Sequence, residues 1–396
     1  MATYADTHLV LNALVAQSEG KEDISSVAVD NIASFGDTLL TSSENASKDI
    51  VFKTLLDRIG KTITDMLAYE NKFAYIFKDA FHYGVILQTL HVDNFEARTS
   101  GIYSDLDEDD VDEDIYKINL PTVHQKLFEN QQPWEFKVTI TDLQIKSAFT
   151  DETTLAAFIN GIFTAMKNSI VKYLETSART VYCDLIAHKM VAEAADGVDT
   201  IHAVNVLQQY YDETGIVLTT DTWKYNADFL RWLTSTFTDY VGLFEEMSVI
   251  FNADGYETFT PKDMLHFVIN NKVADNIKRF MQSDVYNKEL VELPAYREIS
   301  SWQALGKRAT LDKRLAVEVE YGSGADKKEV EATVIAVMHD DRVLSMTLKD
   351  RFTVDIPNKH KHTRNVWEQG TICNFINMGH NALVFYIDDV TEADGN

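Results

Sequence analysis

The sequence predicts an α+β fold built from a few long elements, and three observations carry that prediction. Residues 151 to 190 place apolar side chains at three-and-four spacing without a proline, the pattern of one long helix. Trp134 to Thr141 alternate between apolar and polar residues, the period of a half-buried strand. Beyond Gly197 shorter helical patterns are mixed with strands instead of repeating as strand-helix units.

In chain order, residues 1–46 are rich in Ser, Thr, Asn and Asp and read as an arm that takes its order from a partner surface. Ser47 is placed as an N-cap, with Ile50, Val51, Leu55, Leu56 and Ile59 forming a short helix that Gly60 closes. Gly84 to Val92 reads as a strand. In the strand at Trp134, the residues Trp134, Phe136, Val138 and Ile140 point one way and Glu135, Lys137 and Thr139 the other. Between these strands lie Asp105, Asp107, Glu108, Asp109, Asp110, Asp112, Glu113 and Asp114, eight carboxylates in ten positions. Such a run cannot bury itself, so it belongs at the exposed tip of a long excursion.

The helix at 151–190 has Leu155, Phe158, Ile159, Ile162, Phe163, Met166 and Ile170 on its apolar face, with Val181 and Leu185 continuing it. At about 1.5 Å per residue it would be a rod of roughly 60 Å. Asp151 and Glu152 complement the helix dipole at its start, and Lys189 near its end. Thr222 to Ser235 reads as a second helix. Thr260 followed by Pro261 reads as the start of a third, carrying Met264, Leu265 and Val268. Leu315, Val317, Val319 and Tyr321, a turn at Gly322, Ser323 and Gly324, and a strand from Val330 to Val337 make a hairpin. Ala382 to Ile387 is a final strand before an acidic tail.

Composition narrows the function. With 36 Lys and Arg against 62 Asp and Glu, the net charge of −26 excludes a sequence-reading nucleic-acid binder, which needs a basic surface. Cys183 and Cys373 are too few and too far apart for a disulfide framework, and both read as buried thiols. The N-terminal twenty residues have no basic region of a signal peptide, and no apolar run is suited to a membrane span. An EF-hand starting at Asp105 fails, because Asp110 and Tyr116 stand where glycine and glutamate are required. His360 and His362 are adjacent to Lys359 and Lys361, which repel a cation, so they read as a surface loop. No Walker loop, dinucleotide fingerprint, zincin helix or nucleophile elbow occurs. No catalytic residue, cofactor site or metal site is expected.

Three stretches carry a family resemblance. KDIVFKTLLDRIG (48–60), HQKLFENQQPWEFKVTITDLQIKSAF (124–149) and LAAFINGIFTAMKNSIVKYLE (155–175) together resemble the major capsid proteins of small short-tailed, podovirus-type bacteriophages with protein-primed replication. The resemblance implies the HK-ninety-seven-type capsid fold. Its parts would be an N-terminal arm (1–46), a leading helix and lead-in (47–79) and an extended β-hairpin loop (80–140). A peripheral domain with its spine helix (141–192), an axial domain (193–365), and a return to the peripheral domain with the tail (366–396) would follow. Some family members have an immunoglobulin-like domain after the core, and none is expected here. The implied function is self-assembly through hexamers and pentamers into an icosahedral shell around double-stranded DNA held non-specifically. A separate scaffolding protein, a portal protein at one vertex, no membrane, and assembly in the host cytoplasm into the virion capsid complete the expectation.

Candidate assembly contacts are Trp134, Phe136, Val138 and Ile140, with Asp105, Asp107, Glu108, Asp109 and Asp110 at the loop tip. The apolar face at Trp134 would be costly on an isolated two-stranded ribbon, so a neighbouring subunit is expected to cover it, and Trp134→Ala to weaken assembly more than folding. An encapsulin-like compartment shares the implied fold, and an acidic cytoplasmic enzyme is the other alternative. A packaged genome against a packaged protein separates the first, and the absence of shells would favour the second.

Overall fold

The computed structural model describes residues 71–78, 87–95, 120–141, 144, 152–196, 200–284, 294–303, 314–322 and 327–391. The arm, the short helix at 47–60 and the acidic run at 105–114 lie outside the described residues. The chain divides into two compact units. The first comprises 1–81, 131–178 and 347–373; the second comprises 82–130, 179–346 and 374–396.

In the first unit, β3 (Gln131–Thr141) pairs antiparallel with β10 (Thr363–Ile376), and β9 (Leu344–Asn358) completes a three-stranded sheet in the order β3-β10-β9. The period of two expected at Trp134 is present: Trp134 and Ile140 are buried, Phe136 and Val138 half-buried, and Glu135, Lys137 and Thr139 exposed. Trp134 and Phe136 both touch Tyr173 of α1 (Glu152–Asp196), at ring separations of 6.1 and 5.9 Å. The indole lies over Gly370, directly opposite Trp134 in the register. A Cβ on residue 370 would fall 2.6 Å from the Trp134 ring. Gly370→Ala is therefore expected to destabilise the subunit by roughly 1–3 kcal/mol through overpacking, read as a lower denaturant midpoint of the unassembled chain.

The sequence placed β3 on a two-stranded excursion beside the strand ending at Val92. The structure pairs it instead with β10, where α1 supplies the apolar cover that the sequence assigned to a neighbour. The same face of β10 holds Glu368, which is 1% exposed and ion-paired to Arg351 of β9.

α1 runs six residues past the expected end at residue 190. Met166, Ile170, Val181 and Leu185 are buried as the spacing required, while the side chains of 152–163 lie outside the described residues. Lys189 is not a surface cation near the helix end. It is fully buried, and its Nζ donates to the Phe251 carbonyl at 2.8 Å; burial lowers its pKa to about 7.

The second unit centres on a six-stranded sheet. Its main order is β4 (Ala203–Asn205), β11 (Ala382–Ile387), β8 (Lys328–Asp340), β5 (Leu265–Asn270) and β6 (Tyr296–Ile299), and β7 (Ala316–Tyr321) pairs the start of β8. β8 is central, and Val334 to Met338 are completely buried, as a strand covered on both faces requires. The β7–β8 hairpin matches the sequence reading, with Gly322 at φ +101° where a side chain would be strained. β11 belongs to this sheet, so the C-terminal strand returns to the second unit and not to the 131–178 segment.

Two helices differ from expectation. The one placed at 222–235 begins at Ala227, because the Asn226 side chain accepts from the Phe229 amide as an N-cap; this α3 runs to Glu245. α2 (Val206–Thr214) precedes it and α4 (Asn271–Asp284) follows. Pro261 does not open a helix. Leu265–Asn270 is β5, held between β8 and β6, and tertiary pairing overrides the helical spacing of Met264, Leu265 and Val268. Phe229, Phe237, Phe244, Phe251, Phe267 and Phe385 fill the core beneath α3.

Cys183 is packed with its thiol 3.8 Å from the Trp302 carbonyl, and burial pushes its pKa up to about 12, which favours the protonated thiol. His339 is fully buried, with Nε2 2.6 Å from the Tyr182 hydroxyl and Nδ1 2.9 Å from the Asp340 carbonyl. Those partners suit the neutral ring, and burial, aided by His266, lowers its pKa to about 4. The unfolded chain takes up this proton near pH 6.5 and the folded chain only near 4. The stability contributed is thus complete above pH 6.5 and is lost as pH falls toward 4. Calorimetry of the unassembled subunit is expected to show its melting temperature falling across that window, and a shallower fall in His339→Gln.

Candidate assembly surface

The surface the fold leaves open lies on the first strand pair. β1 (Leu87–Val92) and β2 (Val123–Phe128) form an isolated two-stranded antiparallel sheet, in which His91 faces His124 and Val92 faces Val123. The two faces of this ribbon have opposite fates. Thr89, His91, His124, Lys126 and Phe128 are partly covered by the second unit, to which the ribbon belongs. The His91 ring stacks on Tyr256 at 4.3 Å, and the His124 ring lies 5.0 Å from it. His124 Nε2 is 3.1 Å from Asp93 Oδ2, Lys126 pairs with Asp254, and Phe128 meets Phe375 edge-on at 6.4 Å. Beyond β1, Asn94 donates to Glu257 at 2.7 Å and approaches the Met247 sulfur at 3.0 Å.

The opposite face is exposed and mostly apolar, with Gln88 and Gln125 as its polar members. Leu90 is 64% exposed, Val92 48%, Val123 53% and Leu127 60%, and the flanking Phe95 and Leu120 are more exposed still. The ribbon is thus amphipathic in the inverse sense, with histidine and lysine toward the body and leucine and valine toward solvent. A monomer gains nothing from that arrangement, since a two-stranded ribbon is marginal in water and an apolar stripe promotes association.

Of the residues expected to make assembly contacts, Trp134 and Ile140 lie in the interior of the first unit and Phe136 and Val138 are half-buried there. Asp105, Asp107, Glu108, Asp109 and Asp110 lie outside the described residues. The four ribbon residues were not singled out from the sequence. The signal that could have found them is the alternation of Val123-His124-Gln125-Lys126-Leu127-Phe128, legible once the covered face is allowed to carry the charge. His360 and His362 lie exposed in the turn joining β9 and β10. No cluster of three or more metal-ligating side chains occurs among the described residues. No helix there is long and apolar enough to cross a membrane.

Comparison with known proteins assigns this architecture. A model of the Phi29-like phage major capsid protein family matches residues 11–386. The chain belongs to that family. Its fold is the HK-ninety-seven-type capsid fold implied by the sequence resemblance, in an α+β arrangement. The major capsid protein of Bacillus phage GA-1 is 25% identical over 165 residues, covering 41% of this chain and 33% of that protein. The major capsid protein of Streptococcus phage Cp-1 is 26% identical over 123 residues, or 30% of each chain. The matched stretches thus span about a third of the length of either relative. A chain from the structure of the head fiber and inner core protein gp22 of native bacteriophage P68 superposes with a TM-score of 0.54. That superposition covers 80% of this chain and 85% of the other at 10% identity, a likeness of fold alone.

Proposed function

We propose that this member of the Phi29-like capsid family is a shell-forming subunit that assembles through hexamers and pentamers around a packaged double-stranded DNA genome. The observation that carries the reading is the bare apolar face of Leu90, Val92, Val123 and Leu127 on a ribbon whose other face is clasped to its own body. Burial on a neighbouring copy offsets the exposure, and identical contacts repeated around a closed symmetry build a shell. Phe136 and Val138 are the part of the β3 face left to add to such contacts, and the acidic segment at 105–110 supplies polar ones. The genome is held without sequence reading, since a wall of net charge −26 repels DNA and does not grip it. A separate scaffolding protein guides assembly in the host cytoplasm, a portal protein occupies one vertex, and the subunit performs no chemistry.

Negative-stain microscopy of the chain co-expressed with the phage's scaffolding protein tests this reading. Hollow shells tens of nanometres across are expected. A monodisperse 44.9 kDa monomer under those conditions would overturn it.

A further inference from the structure

A second exposed apolar surface lies in the second unit, where α3 ends and the chain turns back toward β5. The segment after Glu245 folds on itself: the Ser248 amide donates to the Thr258 carbonyl at 3.1 Å, and the Thr258 amide to the Ser248 carbonyl at 3.0 Å. Side chains alternate across such a pair, so Met247, Val249, Glu257 and Phe259 share the face opposite Ser248 and Thr258. Thr258 is buried and Ser248 half-buried, while those four are exposed. The Thr260 amide donates to the Phe244 carbonyl at 2.7 Å, which brings Phe259 beside the end of α3, where Leu243 is exposed as well. Asn94 meets the margin of this face through the Met247 sulfur and Glu257.

The rim of the patch is acidic. From residue 239 to residue 263 the chain carries Asp239, Glu245, Glu246, Asp254, Glu257 and Asp263 against a single cation, Lys262, which is held by Glu245 at 3.2 Å. Asp254 is paired with Lys126, while Asp239, Glu246 and Glu257 are exposed. Asp239 lies one turn before Leu243 on α3, Glu246 three residues after it, and Glu257 on the patch itself.

We propose that this face is a docking surface for a cationic amphipathic helix of a separate protein, whose apolar stripe lies on Leu243, Met247, Val249 and Phe259 and whose lysines or arginines face Asp239, Glu246 and Glu257. The assignment goes beyond the shell reading without resting on it, since the free subunit carries the surface. Charge complementarity selects the occupant. A second copy, at net charge −26, brings the same acidic rim, and like charges across an interface count against it. α4 is the net basic helix among those described, with Lys272, Lys278 and Arg279, but its Val273, Ala274 and Ile277 are buried in its own core. The patch is a side-chain face and not an open strand edge, so a helix fits it better than an added strand: two turns present an apolar stripe about 10 Å long. The unbranched Met247 side chain adapts to the shape of that stripe.

The test titrates the free full-length subunit, at about 0.1 M salt, with a short dye-labelled helical peptide that carries leucine on one face and lysine on the other. Binding is expected, and none by the counterpart peptide with glutamate in place of lysine. Met247→Ser/Phe259→Ser and, separately, Asp239→Lys/Glu246→Lys are each expected to weaken binding about tenfold. Leu90→Ser/Leu127→Ser on the ribbon, and Glu329→Lys/Glu331→Lys on β8, which changes the charge by the same amount, are expected to leave it unaltered. All eight side chains are exposed, so each variant retains the fold. The proposal is overturned if the lysine peptide does not bind, if the glutamate peptide binds as well, if the patch variants bind normally, or if the distant pairs weaken binding equally. Because the measurement needs no assembly, a chain that forms no shells counts against the shell reading alone.

Discussion

Replacing Leu90 and Leu127 together with lysine is expected to abolish shell formation while leaving the melting temperature of the free subunit within about 2 °C of wild type. Both side chains are more than half exposed, at 64% and 60%, and point away from the face that carries His91, His124 and Lys126. The clasp on the other face, through His91, His124 and Lys126, is untouched. In the assembled shell each leucine would lose its burial, worth about 1.5–3 kcal/mol apiece, so each contact weakens at least a hundredfold. A closed shell multiplies that loss over every copy. Sedimentation of the co-expressed product reads the result, and shells at wild-type yield would remove the ribbon from the interface.

Trp134→Ala is expected to behave in the opposite way, costing the subunit roughly 3–5 kcal/mol before assembly begins. The sequence placed Trp134 on a face waiting for a neighbour, but the indole is 6% exposed, covers Gly370 and meets Tyr173. Its removal leaves a cavity in the first unit between sheet and helix. Trp134→Phe supplies the control. The indole Nε1 is buried with no hydrogen-bond partner among the described residues, so phenylalanine keeps most of the apolar volume and removes that donor. Chemical denaturation of unassembled subunits is expected to show a large loss for alanine and a small change for phenylalanine. A normal unfolding midpoint for Trp134→Ala would restore the assembly role first read from the sequence.

The elements legible in the sequence are those whose buried positions are apolar. α1, the alternation of β3, the β7–β8 hairpin and β11 all announce themselves through Ile, Val, Leu and Phe at the expected period. β10 does not, although it alternates as regularly as β3 in the structure. Its buried positions include Arg364, Glu368 and Gly370, which meet Asp355, Arg351 and the Trp134 ring. Those contacts come from other strands and cannot be read locally. The ribbon hides its function for the complementary reason. Its leucines and valines point to solvent and its histidines toward Tyr256, so hydrophobic patterning taken alone would assign the faces backwards. For β5, the short run Met264 to Ile269, interrupted by His266, fits either period, and only pairing with β8 and β6 decides.

The pairing of β3 with β10 also sets a timetable for synthesis. Gln131 lies opposite Cys373, 242 positions later (373 minus 131), so β3 has no partner among the described strands until nearly the whole chain has left the ribosome. At about 5–20 residues per second, β3 waits roughly 12–50 seconds with Trp134, Phe136 and Ile140 unpaired. The nascent chain therefore passes through a period in which one apolar face of β3 has no partner strand, and that interval is open to non-native association.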